Sequence, residues 1–420
     1  MRVLVVTSGT MGDVAPYTGL ATGLRDAGHD VTLATHAAFA DAVAARGLAF
    51  RPLPGDLRTI LPQARGQDGT RSGTSPVALA HLLRIAGPLI AELGRGLADV
   101  VAATRPQAIL LSTLVAPLGY QVAEAAGVPW AGLFLQPVTP TGEFGPVLLG
   151  NRSVGSIGNR ALAAAALTVS QRLYGAPVAA LRARLGLPRE NLRTLRRRQE
   201  QRWPTFHGFS PSVVPRPADW PRSHRVVGYW WPTRPAGWRP PADLVRFLDA
   251  GPPAVFVGFG SMAPGSGDRL AGPVLAAVRA AGVRAVVQAG WSGLTVDPPA
   301  HDVMSIGEVP HDWLFPRTAA VVHHAGAGTT AAGLRAGVPA VAVPVLADQP
   351  FWAGRLHALE VAPAPIPLAH LTAGRLARAI RQAVHNPRHR ARAQAMAGRL
   401  ATEDATTPIL TWLNTLSPSP

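Results

Sequence analysis

The 420-residue sequence contains no cysteine, and no lysine either. Without thiols there can be no disulfide, no thiolate nucleophile and no cysteine-ligated zinc. Without lysine, Schiff-base and pyridoxal chemistry and a Walker-type phosphate loop lack their residue. All forty basic side chains are therefore arginine, set against 24 acidic ones for a net charge of +16. Aromatic residues make up only 6% of the chain and are not interleaved with the arginines as stacking platforms for nucleic acid would be, so no nucleic-acid partner is expected. No apolar run reaches the roughly 18 residues of a membrane span. The nearest, Ala108 to Tyr120, is interrupted by Ser112, Thr113 and Pro117. The opening Met1-Arg2 followed by Val3 to Val6 is too short for a signal segment and runs directly into a glycine loop, which makes the cytoplasm the expected location.

What is present reads as a globular α/β protein. Hydrophobic residues account for 47% of the chain and charged ones for 15%, a balance that favours compact folding. The length exceeds the roughly 250 to 300 residues at which a single core stops growing, so two lobes are expected. The first lobe opens with a buried strand Val3 to Thr7, a loop Ser8 to Gly12, a helix ending at Gly28 and a second strand Val31 to Thr35. Gly28 suits a helix C-terminus, and Asp13 falls in the first helical turn, where a carboxylate meets the positive helix end. The same grammar returns at Ala254 to Gly260, with a loop Ser261 to Gly265, a helix to Gly282 and a strand Val283 to Gln288. The expected organisation is a first lobe over 1–215, a proline- and tryptophan-rich linker over 216–240, a second lobe over 241–400, and a final helix and tail over 401–420 that packs back on the first lobe.

Two further segments carry expectations. The glycine-rich stretch Gly55 to Pro76 reads as a loop or lid over an acceptor. Arginines cluster between Arg182 and Arg239, including Arg193, Arg196, Arg197, Arg198 and Arg202. Such a cluster can meet anionic lipid headgroups, although a solvated helix face is the plainer reading.

The chemistry concentrates near the end of the second lobe. Ala319 to His324 reads as a strand, Ala325-Gly326-Ala327-Gly328-Thr329-Thr330 as a glycine turn, and Ala331 to Ala336 as a helix. Glycines let backbone approach a ligand, and free amides at a helix N-terminus favour a diphosphate; His324 and Thr329 add donors. The stretch also fits the weak dinucleotide fingerprint, with Asp348 at the distance of a ribose-binding acid. That fingerprint usually opens its fold, however, whereas this one follows a complete strand-helix-strand unit. Asp348-Gln349 follows the strand Ala340 to Val345 and pairs an acceptor-only carboxylate with a two-way amide, a combination suited to sugar hydroxyls. His323 reads as a satisfied strand histidine and Trp291 as a packed aromatic.

These residues bring a family into view. His324 to Thr330, Gly337-Val338-Pro339 and Asp348-Gln349 resemble the donor signature of the family 1, UDP-glycosyltransferase-like enzymes. The resemblance extends to Gly9-Thr10-Met11-Gly12-Asp13-Val14-Ala15-Pro16, Gly208-Phe209-Ser210-Pro211, Val214-Pro215-Arg216-Pro217-Ala218-Asp219-Trp220 and Pro310-His311-Asp312-Trp313-Leu314-Phe315-Pro316. It is greatest toward the sterol 3-beta-glucosyltransferase branch, with bacterial natural-product glycosyltransferases beside it. It implies a GT-B fold, two Rossmann-like lobes facing across a cleft, and metal-independent inversion with no cofactor beyond a nucleotide-sugar co-substrate, UDP-glucose or a dTDP-sugar. It implies Asp13 as catalytic base, with Thr10, Ser261, Val309, His324, Gly326, Gly328, Thr329, Asp348 and Gln349 on the donor. Phe134, Gln136 and Phe144 are expected on the acceptor. Many relatives carry a histidine in place of Asp13, oriented by a later carboxylate. Leu110-Leu111-Ser112-Thr113 offers none here, and a carboxylate base needs none.

The expected activity is transfer of a hexose, glucose from UDP-glucose, to a hydroxyl of a sterol-like or polycyclic acceptor. The rival within the same class is tailoring of a polyketide, macrolide or peptide antibiotic with a UDP- or dTDP-sugar. A non-catalytic sugar-nucleotide-binding partner is the alternative of another kind, and the intact Asp13, His324 and Asp348-Gln349 set speaks against it.

Overall fold

The structure is a computed structural model, and it describes residues 1–56, 76–147, 150, 152–191, 194, 197–198, 202–260, 267–289 and 302–416. Ser261, Trp291, Arg193, Arg196 and nearly all of the expected lid over Gly55 to Pro76 lie outside the described residues.

Two parallel sheets organise the chain. The first has the order β3-β2-β1-β4-β5-β6-β7, built from β1 (Arg2–Val6), β2 (Asp30–His36), β3 (Ala49–Leu53), β4 (Ala108–Ser112), β5 (Trp130–Phe134), β6 (Thr205–His207) and β7 (His224–Val226). The second has the order β10-β9-β8-β11-β12, built from β8 (Val255–Gly258), β9 (Ala285–Gln288), β10 (Val303–Ile306), β11 (Ala320–His323) and β12 (Ala340–Ala342). In both, the strand order reverses beside the first strand of the sheet, between β1 and β4 and between β8 and β11. Loops leaving the C-terminal ends of strands open a crevice at such a point, and ligands of doubly wound folds bind there.

The near-continuous apolar runs of these strands follow from burial on both faces. Along β1, Val3 and Val5 face one way, joining Tyr17, Leu20 and Leu24 of the Met11–Asp26 helix. Leu4 and Val6 face the other way, against Ile90, Leu93 and Leu97 of the Pro76–Thr104 helix. In the second sheet Val257 and Val322 pack toward the Gly267–Ala281 and Ala373–His385 helices, while Phe256 and Val321 pack toward Leu314 and Phe315.

The stretch expected to be wholly linker supplies β7, which pairs with β6 through Thr205–His224, Phe206–Arg225 and His207–Val226. Three residues between prolines are enough for an edge strand, because one side of such a strand needs no partner.

Two features join the lobes. The Thr407–Asn414 helix inserts Ile409 and Leu413 into the core beneath the first sheet, and Trp230 Nε1 donates to the Ala405 carbonyl at 3.1 Å. A separate apolar cluster runs from Val147, Phe209 and Val214 of the first lobe to Ala325, Ala331, Phe351 and Trp352 of the second. Gly19 packs so closely on the Trp231 carbonyl that a side chain there would collide with backbone.

The arginine cluster is partly accounted for inside the protein. Arg182 is buried and pairs with Glu124 at 2.8 Å, and Arg198 reaches Glu124 at 2.8 Å and Glu190 at 3.1 Å. Among the described residues no helix is long and apolar enough to cross a membrane.

Candidate active site

Asp13 stands at the third position of the Met11–Asp26 helix, directly after β1. Its carboxylate Oδ2 accepts from the Thr10 backbone N–H at 2.9 Å and from the Thr10 hydroxyl at 3.1 Å. The Thr7 hydroxyl donates to the Asp13 carbonyl at 2.7 Å. Gly9 adopts φ +132°, and its Cα lies so near the Asp13 carboxylate that no side chain would fit. This loop is shaped around the carboxylate, which explains a glycine at that point. Thr10 thus spends its hydroxyl proton on Asp13.

Burial raises the pKa of Asp13 above the ordinary aspartate value. The Thr10 bonds oppose this, the charge of Asp348 adds to it, and a hydrogen bond from the Gln136 side chain opposes it. Asp348 belongs to the other lobe, so its charge acts on Asp13 across the boundary between the two.

In the second lobe the chain leaves β11 at His323, turns through Ala325 at φ +63° and enters the Ala327–Arg335 helix with Gly326 as its N-cap. The helix starts four residues earlier than its apolar pattern suggests, so Gly328 and Thr329 lie within the first turn, where backbone amides have no partner inside the helix. His324 packs its ring against Gly326 and Gly260. It is nine-tenths buried, and its Nδ1 has no hydrogen-bond partner among the described residues. Burial lowers its pKa to about 4, with a smaller contribution from His311, so the ring is neutral near pH 7 and carries one N–H. His323 accepts from the Ala325 amide through Nδ1 at 3.1 Å and is fully buried, its pKa lowered to about 3 mainly by desolvation.

Asp348 precedes the Gln349–Ala358 helix, and its Oδ2 accepts from Trp352 Nε1 at 2.9 Å. Burial raises its pKa, and the Trp352 bond opposes that rise. Gln349 turns its Oε1 inward to accept from the Val345 and Leu346 amides at 2.8 and 3.2 Å. Among the described residues no group of three or more His, Asp or Glu side chains is placed to hold a metal ion.

Comparison with known proteins gives the family and the fold. The family model for the glycosyltransferase family 28 N-terminal domain matches residues 3–92, and that for the erythromycin biosynthesis protein CIII-like C-terminal domain matches residues 283–416. The chain is 35% identical to O-mycaminosyltylonolide 6-deoxyallosyltransferase of Streptomyces fradiae, over 99% of this chain and 98% of that protein. The chain belongs to the family 1 glycosyltransferases. It is also 34% identical to the sterol 3-beta-glucosyltransferase UGT80A2 of Arabidopsis thaliana, over 90% of this chain but only 60% of that longer protein. The solved structure of the Streptomyces sp. SF2575 glycosyltransferase SsfS6 with thymidine diphosphate is 21% identical, with TM-score 0.67 and 99% of both chains covered, a likeness of fold. This chain is a glycosyltransferase with the two-lobed GT-B architecture.

The remaining expected residues of this glycosyltransferase are distributed as follows. Val309 is buried beside Trp313 and Phe315, at the loop after β10. Phe134 ends β5, edge-on to His207 at 5.8 Å, and Gln136 just beyond it reaches Asp13. Phe144 places its ring 5.2 Å from that of Phe351, within the apolar cluster joining the lobes. Two contributors escaped sequence reasoning. Trp352 follows Asp348 by one helical turn, an i,i+4 spacing that could have flagged it. Ser8 and His36 form a buried pair at 2.7 Å, with His36 Nδ1 3.1 Å from the Leu53 carbonyl, and they tie the loop after β1 to the ends of β2 and β3. Their separation in sequence hides that contact.

Proposed function

We propose that this glycosyltransferase moves a hexosyl unit from a nucleoside diphosphate to a hydroxyl of a hydrophobic polycyclic or macrocyclic acceptor, with inversion and without a metal ion. What supports the reading is that the Met11–Asp26 helix, with Asp13 in its first turn, packs against the Ala327–Arg335 helix that follows His324, while the charge of Asp348 acts on Asp13. Asp13 takes the acceptor proton as its oxygen attacks the anomeric carbon, and the bond from that carbon to the diphosphate oxygen breaks on the far side. A base whose pKa is raised toward working pH suits this step. The departing diphosphate gains negative charge, which first-turn amides of the Ala327–Arg335 helix and one N–H of neutral His324 would meet as fixed dipoles. Asp348 and Gln349 would hold the sugar, and Val309 backbone the base.

For the acceptor, tailoring of a macrolide or related aglycone with a nucleoside diphosphate deoxyhexose is the reading we favour. The relative named for 6-deoxyallosyl transfer to O-mycaminosyltylonolide matches this chain from end to end. Glucosylation of a sterol from UDP-glucose is the second reading, supported by 34% identity to a plant sterol 3-beta-glucosyltransferase. The test is a panel of macrolide aglycones, flavonoids and sterols, assayed with UDP-glucose and with thymidine-diphosphate sugars in EDTA. Turnover of a macrolide with inverted configuration is expected. Turnover of sterols alone would overturn the tailoring choice, and a requirement for added magnesium would overturn metal independence.

A further inference from the structure

Asp348 and Gln349 differ in how many groups they have left to offer a ligand. Trp352 is wholly buried, with its indole packed edge-on to Phe351 at 5.3 Å and to Phe209 of the other lobe at 6.1 Å. Held between those rings, it cannot turn, and its N–H points at Asp348 Oδ2 at 2.9 Å. Among the described residues the only side-chain donor to Asp348 is Trp352, on Oδ2, with the residue's own backbone amide beside it, and an ionised carboxylate, which can only accept, keeps lone pairs for a ligand. The Gln349 side chain is two-way in isolation, but its oxygen is committed to the Val345 and Leu346 amides. Only its NH2 group remains to face a ligand, and that group can only donate.

We propose that Trp352 is a positioning residue for donor-sugar recognition: it pins Asp348 so that one carboxylate oxygen accepts from one sugar hydroxyl, while Gln349 donates to a neighbouring one. This rests on the reading of Asp348-Gln349 as the sugar contact and adds the polarity with which each hydroxyl is read. The sugar position facing Asp348 must carry a proton to give, whereas the position facing Gln349 needs only a lone pair. Because Phe209 packs on the same indole, the sugar contact is also braced by the acceptor lobe.

The test uses the wild-type enzyme first. UDP-glucose and thymidine-diphosphate-glucose are compared with analogues in which single hydroxyls are replaced by hydrogen or by fluorine, which accepts but cannot donate. At one position both replacements should lower kcat/KM by about tenfold or more, the loss expected for a hydrogen bond to a charged group. At a neighbouring position fluorine should restore most of what hydrogen loses. If fluorine rescues every position equally, the assigned polarity is wrong.

Trp352→Phe keeps the ring and removes the N–H. It should raise the donor KM about tenfold, leave the affinity for UDP or thymidine diphosphate unchanged, and move the acid limb of 1/KM to higher pH, since the lost bond favours the ionised carboxylate. A purely structural role would weaken diphosphate and sugar binding together. A Trp352→Phe enzyme with wild-type donor KM, beside an Asp348→Asn enzyme that has lost it, overturns the role of Trp352 and leaves Asp348 as the sugar contact. An Asp348→Asn enzyme with unaltered donor KM sinks the reading of the pair itself. Should Trp352→Phe fail to fold, the fluorine series still decides.

Discussion

Asp13 and Asp348, carried by different lobes, are electrostatically coupled: the charge of Asp348 raises the pKa of Asp13. Neither carboxylate has an arginine partner among the described residues; each is held by neutral donors, Thr10 and Gln136 for the first and Trp352 for the second. Like charges facing across a cleft are costly, and the arrangement makes chemical sense with a sugar seated between them. One carboxylate can then take a proton while the other stays in place to bind.

Asp13→Asn keeps the size of the side chain and removes its basicity. Turnover should fall by about 10² to 10⁴, while calorimetry finds the affinity for the nucleoside diphosphate unchanged. Activity within a few fold of wild type would place the base elsewhere.

The same coupling sets a pH dependence. Asp13 must be ionised to accept a proton, and burial with the charge of Asp348 lifts its pKa. The acid limb of kcat should therefore fall above the ordinary carboxylate range. In Asp348→Asn that charge is gone, and the limb should move to lower pH whatever the residual rate. An unmoved limb would mean that the two groups do not interact in the donor complex.

His324→Ala removes a side-chain donor beside the Ala327–Arg335 helix N-terminus whose ring Nδ1 has no partner among the described residues. A weakening of diphosphate binding by roughly tenfold is expected for one hydrogen bond to an anion. An unaltered dissociation constant for UDP and for thymidine diphosphate would remove the residue from the site.

Acid stability carries the signature of the buried histidines. Burial lowers the folded-state pKa of His311 to about 4, of His323 to about 3 and of His324 to about 4, whereas the unfolded chain protonates them near 6.5. Below about pH 6.5 the unfolded state binds more protons. Stability should be at its plateau above that pH and fall continuously toward pH 4. Urea midpoints measured from pH 8 to 4 at constant ionic strength should follow this course, and His323→Gln should flatten it. A midpoint independent of pH over that window would contradict the neutral buried rings.

Much of the fold could be read in the residues themselves. Val3 to Val6 and Val255 to Gly258 lie in strands buried on both faces, so their apolar runs are continuous and each leads into a glycine-bearing loop. Hydrophobic pattern and turn chemistry are local, and they suffice to mark two strand-loop-helix units and to put Asp13 in a first helical turn and His324 at the end of a strand. Polar pairings between segments leave no such trace. The choice of residues 224–226 as an edge strand, the seating of Ile409 and Leu413 under the first sheet, and the packing of Phe144 on Phe351 depend on contacts between distant segments.

What the sequence determined by itself is a chemical inventory: no thiol, no lysine, a carboxylate in a first helical turn, a histidine between a strand and a glycine turn, and an acid-amide pair after a strand. Only the tertiary structure decided how those groups are spent. It brought Asp348 within electrostatic reach of Asp13, gave one oxygen of Asp348 to Trp352, and turned the carbonyl end of Gln349 into the backbone. The physical reason is that hydrogen-bonding capacity belongs to a residue type, whereas the part of it left for a ligand depends on which neighbours packing has already supplied.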